Sequence, residues 1–233
     1  MKPKICLIAG SDSEIAYDTA ERLSGEYFLV LCRHEGHERS DKLLKTCEAV
    51  QYRADLTDEV QAEGLIQEVF RKYSHLDLVV NFTGKNIHVP DEDISGPIWD
   101  DVMSANLKPV FFLCKYYHKY HRKDLEGCIV NFSSTAGIRP IPSSPHYVAA
   151  KAGVIALSKY YAELMAPCVR VNTIAPGFVN TQRHSSPEYD SVRERIALKR
   201  MAKFSEIAET VIYLANCKYI TGQTIIIDGG LIL

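Results

Sequence analysis

The chain has 233 residues, enough for one α/β domain with a sizeable core. Its formal net charge is only −2 and its charged residues are close to balanced, so no bulk electrostatic footprint points to nucleic acid or to an anionic membrane surface. The seven cysteines are scattered and odd in number, with no CxxC pair; they read as reduced thiols of a cytoplasmic compartment, not as a disulfide frame or a zinc site. No apolar run reaches the length of a membrane span. The run after "MKPK" is too short for a signal peptide and ends in a glycine turn instead of a cleavage site.

Short β-rich runs alternate with helical patterns along the chain. "KICLIAG" (4–10) reads as a buried strand stopped by Gly10, and "EIAYDTAERLSG" (14–25) follows with helical spacing and a closing glycine. "YFLVLCR" (27–33) and "AVQYRAD" (49–55) are the second and third strands. "TDEVQAEGLIQEVFRKY" (57–73) opens on a threonine and two acids, a good helix start. "LDLVVNFTG" (76–84) is the fourth strand. A long helix is predicted from residue 97 to about 122, with Pro109 as a kink or a tight packing point. Its aromatic run "CKYYHKYH" (114–121) reads as helix packing at a subunit contact. "CIVNFSS" (128–134) is the fifth strand, residues 145–165 form a helix, and "VRVNTIAPG" (169–177) and "TIIIDGG" (224–230) are the sixth and seventh strands. No repeat or low-complexity linker interrupts residues 1–233, which read as one domain.

Continuously apolar strands separated by helices imply a parallel sheet covered on both faces. Right-handed crossovers close it most simply as a single Rossmann-type doubly wound α/β domain with a seven-stranded sheet. Ligands of such a sheet lie beyond the carboxyl ends of its strands. The turns there hold Gly10, Arg33, Asp55 and residues 81–84, 133–137 and 176–181.

Two of these places suggest chemistry on their own. Tyr147 and Lys151, in "HYVAAKAG", stand four residues apart and share one helical face; alone, they are equally well a surface pair. "AGSDSEIA" (9–16) is a strand–glycine–helix turn, where backbone amides and a helix N-terminus face a ligand phosphate. Only Gly10 remains there of the three glycines of a full fingerprint, so an ordinary turn is the competing reading.

Further motifs join them in order: Asn81-Phe82-Thr83-Gly84, Asn106 in "SANLKPVFFLCK", Ser134 thirteen residues before Tyr147, "APGFVNT" (175–181) and "YITGQTIIIDGG" (219–230). With these, the chain resembles the short-chain dehydrogenase/reductase family along essentially its whole length, nearest to members like 3-oxoacyl-carrier-protein reductase. The resemblance implies an oxidoreductase that interconverts a carbonyl and a secondary alcohol, with no metal. Tyr147 would be the general acid/base. A free tyrosine, with a pKa of about 10, holds its proton too tightly, and the ammonium of Lys151 would lower that value. Lys151 would also hold the nicotinamide ribose, Ser134 would donate to the substrate oxygen, and Asn106 would hold a water linking Lys151 to solvent. Asn106 is otherwise a helix-interior residue bonding backbone. Ser133 is the rival of Ser134, and strand alternation sends the two side chains to opposite sides.

The same resemblance implies a dinucleotide held by Gly10, Ser13 and Ile15 at the first turn, by Asp55 and Leu56 at the adenine, and by Asn81 and Gly84. Pro176 and Gly177 would shape the turn whose Val179 backbone and Thr181 hydroxyl meet the nicotinamide carboxamide. Cys32 takes the place of the acid that favours NAD, and Arg33 follows it; an arginine there can pair with a 2′-phosphate, which favours NADP(H) over NAD(H). Against that, Ser13 replaces the usual second base, and Arg33 and Asp55 can also be a solvated strand end and a helix-start acid. Glu14 and Ala16 replace glycines, and Glu14 is expected to turn outward so that cofactor still binds.

Lys85, Arg139, Arg183 and His184 near the predicted mouth suit an anionic substrate or an acyl chain on a phosphorylated carrier, or are scattered solvated charge. Residues 182–200 are expected to form a substrate-covering loop and helix. The expected partners are a small carbonyl or alcohol, carrier-linked in one version, and further copies of the chain in a tetramer or dimer; no nucleic acid and no membrane. A non-catalytic dinucleotide-sensing protein is the alternative, supported by Glu14 and the lost glycines. A minor alternative is an enoyl reductase-like enzyme, suggested by "SEIAY" but opposed by the short Tyr–Lys spacing.

Overall fold

A computed structural model describes residues 3–34, 38–140, 144–181 and 189–233. In chain order these form β1 (Lys4–Ala9), α1 (Glu14–Leu23), β2 (Tyr27–Arg33), α2 (Glu38–Thr46), β3 (Ala49–Arg53), α3 (Glu59–Tyr73), β4 (Leu78–Asn81), α4 (Gly96–Tyr120), β5 (Gly127–Phe132), α5 (Pro145–Met165), β6 (Val169–Pro176), α6 (Asp190–Arg195), α7 (Phe204–Asn216) and β7 (Thr224–Ile227). The strands make one seven-stranded sheet in the order β3-β2-β1-β4-β5-β6-β7, with every pairing parallel.

Strand alternation divides the core into two layers. In β1, Ile5, Leu7 and Ala9 face α3, α4 and α5, where they meet Leu65, Ile66, Leu113 and Tyr117. Cys6 and Ile8 face the other way, onto α1, α2 and α7, and meet Ala16, Ala20, Leu43, Ile207 and Val211. With helices on both faces the inner strands β1, β2, β4 and β5 have no solvated side and read as largely apolar runs, whereas the edge strand β3 is only half-buried and carries Gln51 and Arg53. Each fully buried leucine or isoleucine here contributes about 1.5–3 kcal/mol relative to exposure.

Helix starts follow local chemistry. Ser13 accepts from the Ala16 amide at the head of α1, and Asp58 accepts from Gln61 at the head of α3. That cap sets the start of α3 at Glu59, two residues later than the sequence suggests. Helices α2 and α7 were not anticipated. α2, "ERSDKLLKT", is mostly charged and buries Leu43. α7 did carry a signal: Ile207, Val211 and Leu214 fall on one face, and the Glu206 carboxylate accepts from the Lys203 amide at 2.7 Å.

Within the chain, the run "CKYYHKYH" packs on α3. Lys115 and Tyr116 both donate to Glu59 Oε1 at 2.6 Å, and one turn on Lys119 and Tyr120 donate to Glu63 Oε1 at 2.6 Å. Tyr117, fully buried, donates to the Leu76 carbonyl. The i, i+4 repeat of each helix thus matches the other, and α3 is fastened alongside α4.

Candidate active site

The sheet reverses direction of growth between β1 and β4, and a crevice opens there beyond the carboxyl ends of the strands. Register places Ala9, Cys32, Asn81 and Asn131, the last or nearly last residues of four strands, in one row. Two adjoining cavities lie above this row, of about 420 and 300 Å3, and they share Ser13, Phe82, Thr83, Gly84 and Lys85.

The larger cavity is walled by Gly10, Arg33, Asp55, Leu56, Ala105 and Pro109. Gly10 has φ +73°, and a Cβ on it would lie 3.1 Å from the backbone of Phe82 and Thr83. Burial pushes the Cys32 thiol up to about 12, so the wall at the end of β2 is neutral where a carboxylate would meet ribose hydroxyls. Arg33 lies 3.8 Å from Asp41 of α2. For Asp55, burial raises the pKa, but donation from the Thr57 amide and hydroxyl, with the charges of His34 and Lys108, brings the net value below the ordinary one. Both hydrogen bonds to Thr57 are 2.8 Å long.

The smaller cavity holds Ser134, Tyr147 and Lys151, together with Ile15, Pro176, Gly177, Val179 and Thr181. Lys151 is buried, donates to the Phe132 carbonyl at 3.0 Å and stands 5.5 Å from the centre of the Tyr147 ring. Burial pulls its pKa down to about 8. Ser134 is half-buried and caps the 3-10 turn Thr135–Gly137. Its neighbour Ser133 is buried and donates to the Lys151 carbonyl at 2.7 Å. The two serines therefore have separate partners: Ser133 anchors α5 and Ser134 stays at the cleft.

Asn106 comes from α4; it lines neither cavity but is fully buried against Gly84, which lines both. Its Nδ2 donates to the Val102 carbonyl, one turn back, and to the Lys85 carbonyl in the turn after β4. Its Oδ1 is buried with no hydrogen-bond partner among the described residues. A Cβ on Gly84 would overlap that Oδ1 and lie 3.1 Å from Lys151 Nζ, so amide oxygen and ammonium converge on one glycine. The φ of Gly84, +137°, is itself a value other residues rarely adopt.

Not every expected residue faces the cleft. Asn81 is buried beneath it: Oδ1 accepts from the Thr83 amide and hydroxyl, and Nδ2 donates to Asn131. Its side chain shapes the turn, and a ligand would meet Phe82 to Gly84 instead. Arg139 donates to the Leu233 carbonyl and lines neither cavity. Lys85 sits at the mouth, paired with Asp101 at 2.5 Å. Arg183, His184 and the first part of the expected covering segment lie outside the described residues; α6 falls within its remainder.

Some positioning residues escaped sequence reasoning. His146, fully buried beside Tyr147, binds the Ile87 carbonyl through Nε2 at 3.2 Å and joins the start of α5 to the loop after β4. Gly137 lets the 3-10 turn touch α5, since a Cβ there would come within 2.6 Å of the Lys151 backbone carbon. Gly177, expected to shape its turn, likewise lets it approach Asp228 closely. The adjacency of "SSTAG" to a turn was legible, but the closeness of two backbones was not.

Comparison with known proteins agrees with this fold. A family model described as "Enoyl-(Acyl carrier protein) reductase" matches residues 9–232. The chain is 35% identical over 249 aligned positions to "3-oxoacyl-[acyl-carrier-protein] reductase FabG" of Thermotoga maritima, covering 100% of this chain and 99% of the relative. Among solved structures it is similar to "ElxO with NADP Bound", with TM-score 0.91, 28% identity and 99% of both chains covered. It is also similar to a dehydrogenase/reductase from Sinorhizobium meliloti, with TM-score 0.92, 27% identity, and 100% and 96% of the two chains covered.

Proposed function

Because the chain belongs to the short-chain dehydrogenase/reductase family, we propose that it is a cytosolic, NADP(H)-dependent reductase of 3-oxoacyl thioesters borne on a carrier. The observation that supports this reading most directly is the meeting of Ser134, Tyr147 and Lys151 in one cavity that continues into a second along the strand ends.

The residues present fit a dinucleotide. The two joined cavities give an elongated cleft, with Arg33 lining one and Tyr147 the other. The head of α1 lies between, and a helix cannot pair the amides of its own first turn, so that end favours an anion. Gly10 and Gly84 both have positive φ and close backbone or side-chain neighbours, which keeps the floor bare of side chains. The neutral Cys32 and cationic Arg33 favour a 2′-phosphate over free ribose hydroxyls. In the bound state the nicotinamide supplies a hydride to the substrate carbon.

The chain's own groups then manage the oxygen. Ser134 would donate to the carbonyl oxygen and stabilise the negative charge that grows there. Tyr147 would deliver the proton. Lys151, within 5.5 Å of the Tyr147 ring and buried, meets low-dielectric surroundings, where a positive charge assists ionisation of a phenol strongly. The uncommitted Oδ1 of Asn106 beside Lys151 suits a water that returns the proton from solvent.

Steady-state oxidation of NADPH with a 3-oxoacyl thioester, against NADH and against a 2-enoyl thioester, tests the proposal. The expected result is turnover of the 3-oxo substrate with a preference for NADPH. Turnover of only the enoyl substrate would move the protein to the enoyl reductase branch. Dinucleotide binding with no turnover of any carbonyl would favour a sensing role.

A further inference from the structure

An acid at the head of α1 suits that helix's own dipole, yet it opposes an anionic ligand at the same end. Glu14 occupies this position, directly after the cap Ser13. Ser13 and Ile15 line the cleft, while Glu14 between them and Asp12 before them line neither cavity. The structure shows what draws the two acids aside. Arg39, in the first turn of α2, places Nη2 at 3.8 Å from Glu14 Oε1 and donates through Nη1 to the Asp12 carbonyl at 3.4 Å. Ser40, the next residue, is fully buried; it donates to Asp12 Oδ1 at 2.7 Å and lies 2.9 Å from Ser11 Oγ. Two consecutive residues of α2 thus engage both acids of the turn.

We propose that Arg39 is a positioning residue for the dinucleotide: it holds Glu14 away from the cleft and screens its charge, so that the head of α1 can receive a diphosphate. The inference rests on the dinucleotide reading above. It says that Arg39 acts through Glu14 and not through the 2′-phosphate. Since the diphosphate is common to NADPH and NADH, the effect should be the same for both.

Titration by nucleotide fluorescence of the wild type, Arg39→Gln, Arg39→Lys, Glu14→Gln and the Glu14→Gln/Arg39→Gln double variant tests this, with thermal melts run in parallel. Arg39→Gln should weaken NADPH and NADH alike, by about tenfold, because the Glu14 carboxylate then loses the guanidinium's screening beside a diphosphate. Arg39→Lys, which keeps the charge, and the double variant, which removes the carboxylate too, should each bind within about threefold of wild type. Glu14→Gln alone, an isosteric change at a half-buried position, should bind as well as wild type or better. A loss confined to NADPH would make Arg39 a 2′-phosphate contact and overturn the proposal. An equal loss in the single and double Arg39 variants, or weaker binding by Glu14→Gln, would overturn it as well. If the wild type binds neither nucleotide, the dinucleotide reading itself fails and this inference fails with it.

Discussion

Lys151 donates to the Phe132 carbonyl at 3.0 Å, so an ammonium from α5 is tethered to the end of a central strand. It is held there against the cost of burial, which pulls its pKa down to about 8. An unfolded lysine keeps its proton to about pH 10.4. Between these values the unfolded chain binds more protons than the folded one, so stability rises with pH. The gain is complete above the unfolded pKa and is lost as pH falls through 8. Lys151→Met removes the cost, and at pH 7 the variant should be more stable by about 2 kcal/mol. Melting curves of both proteins from pH 7 to 10 should show that difference shrinking; a constant difference would contradict a destabilised ammonium.

The two serines at the end of β5 should separate by measurement. Ser134→Ala removes a donor at the cleft and is expected to lower kcat about 100-fold or more, with a change in stability within about 1 kcal/mol. Ser133→Ala removes the 2.7 Å bond to the Lys151 carbonyl and should cost about 1–2 kcal/mol of stability, with a smaller kinetic effect. Reversed phenotypes would assign the substrate contact to Ser133.

Tyr147→Phe keeps the ring and deletes the proton. Turnover is expected to fall by about 100- to 10,000-fold, the usual contribution of general acid–base catalysis. NADPH affinity should stay within about threefold, because the ring still fills its place. Normal turnover by this variant would remove tyrosine from the mechanism.

Gly84→Ala places a methyl group onto Asn106 Oδ1 and beside Lys151 Nζ, at a φ of +137°. The strain is expected to cost about 1–3 kcal/mol. Activity should fall further than stability, because the displaced groups are the amide and the ammonium of the proposed relay. Alanine at Gly64, a helical site with open space around it, should be neutral or stabilise slightly; parity between the two variants would show that Gly84 is not a constrained position.

The parts of the fold that obeyed a single periodicity were readable from sequence. The inner strands were, because burial on both faces turned them into largely apolar runs between helical patterns; β3, only half-buried at the sheet edge, gave a weaker run with Gln51 and Arg53 in it. The order of Asn106, Ser134, Tyr147 and Lys151 pointed to the proposed site, three of whose residues line one cavity. What escaped depends on distances between segments remote in the chain. α2 is short and holds only two apolar residues, Leu43 and Leu44, and its Arg39 and Ser40 matter only because the fold sets them against Asp12 and Glu14. Asn81 matched the expected turn, yet its side chain faces down into Asn131, a direction fixed by pairing β4 with β5. Tyr116 and Tyr120 gave no sign in the sequence of their intrachain partners Glu59 and Glu63, which lie 57 residues away.

The near contact between Gly10 and the Phe82–Thr83 backbone has a consequence for how the cleft is framed. Gly10 follows β1, Phe82 follows β4, and these are the strands at which the sheet changes its direction of winding. The two halves of the domain therefore lean on each other there through main chain alone, with one hydrogen atom as the spacer. A larger residue at Gly10 would act as a wedge, spreading the hinge line of the molecule and detuning both ends of the cleft together, even though it would touch no reacting group.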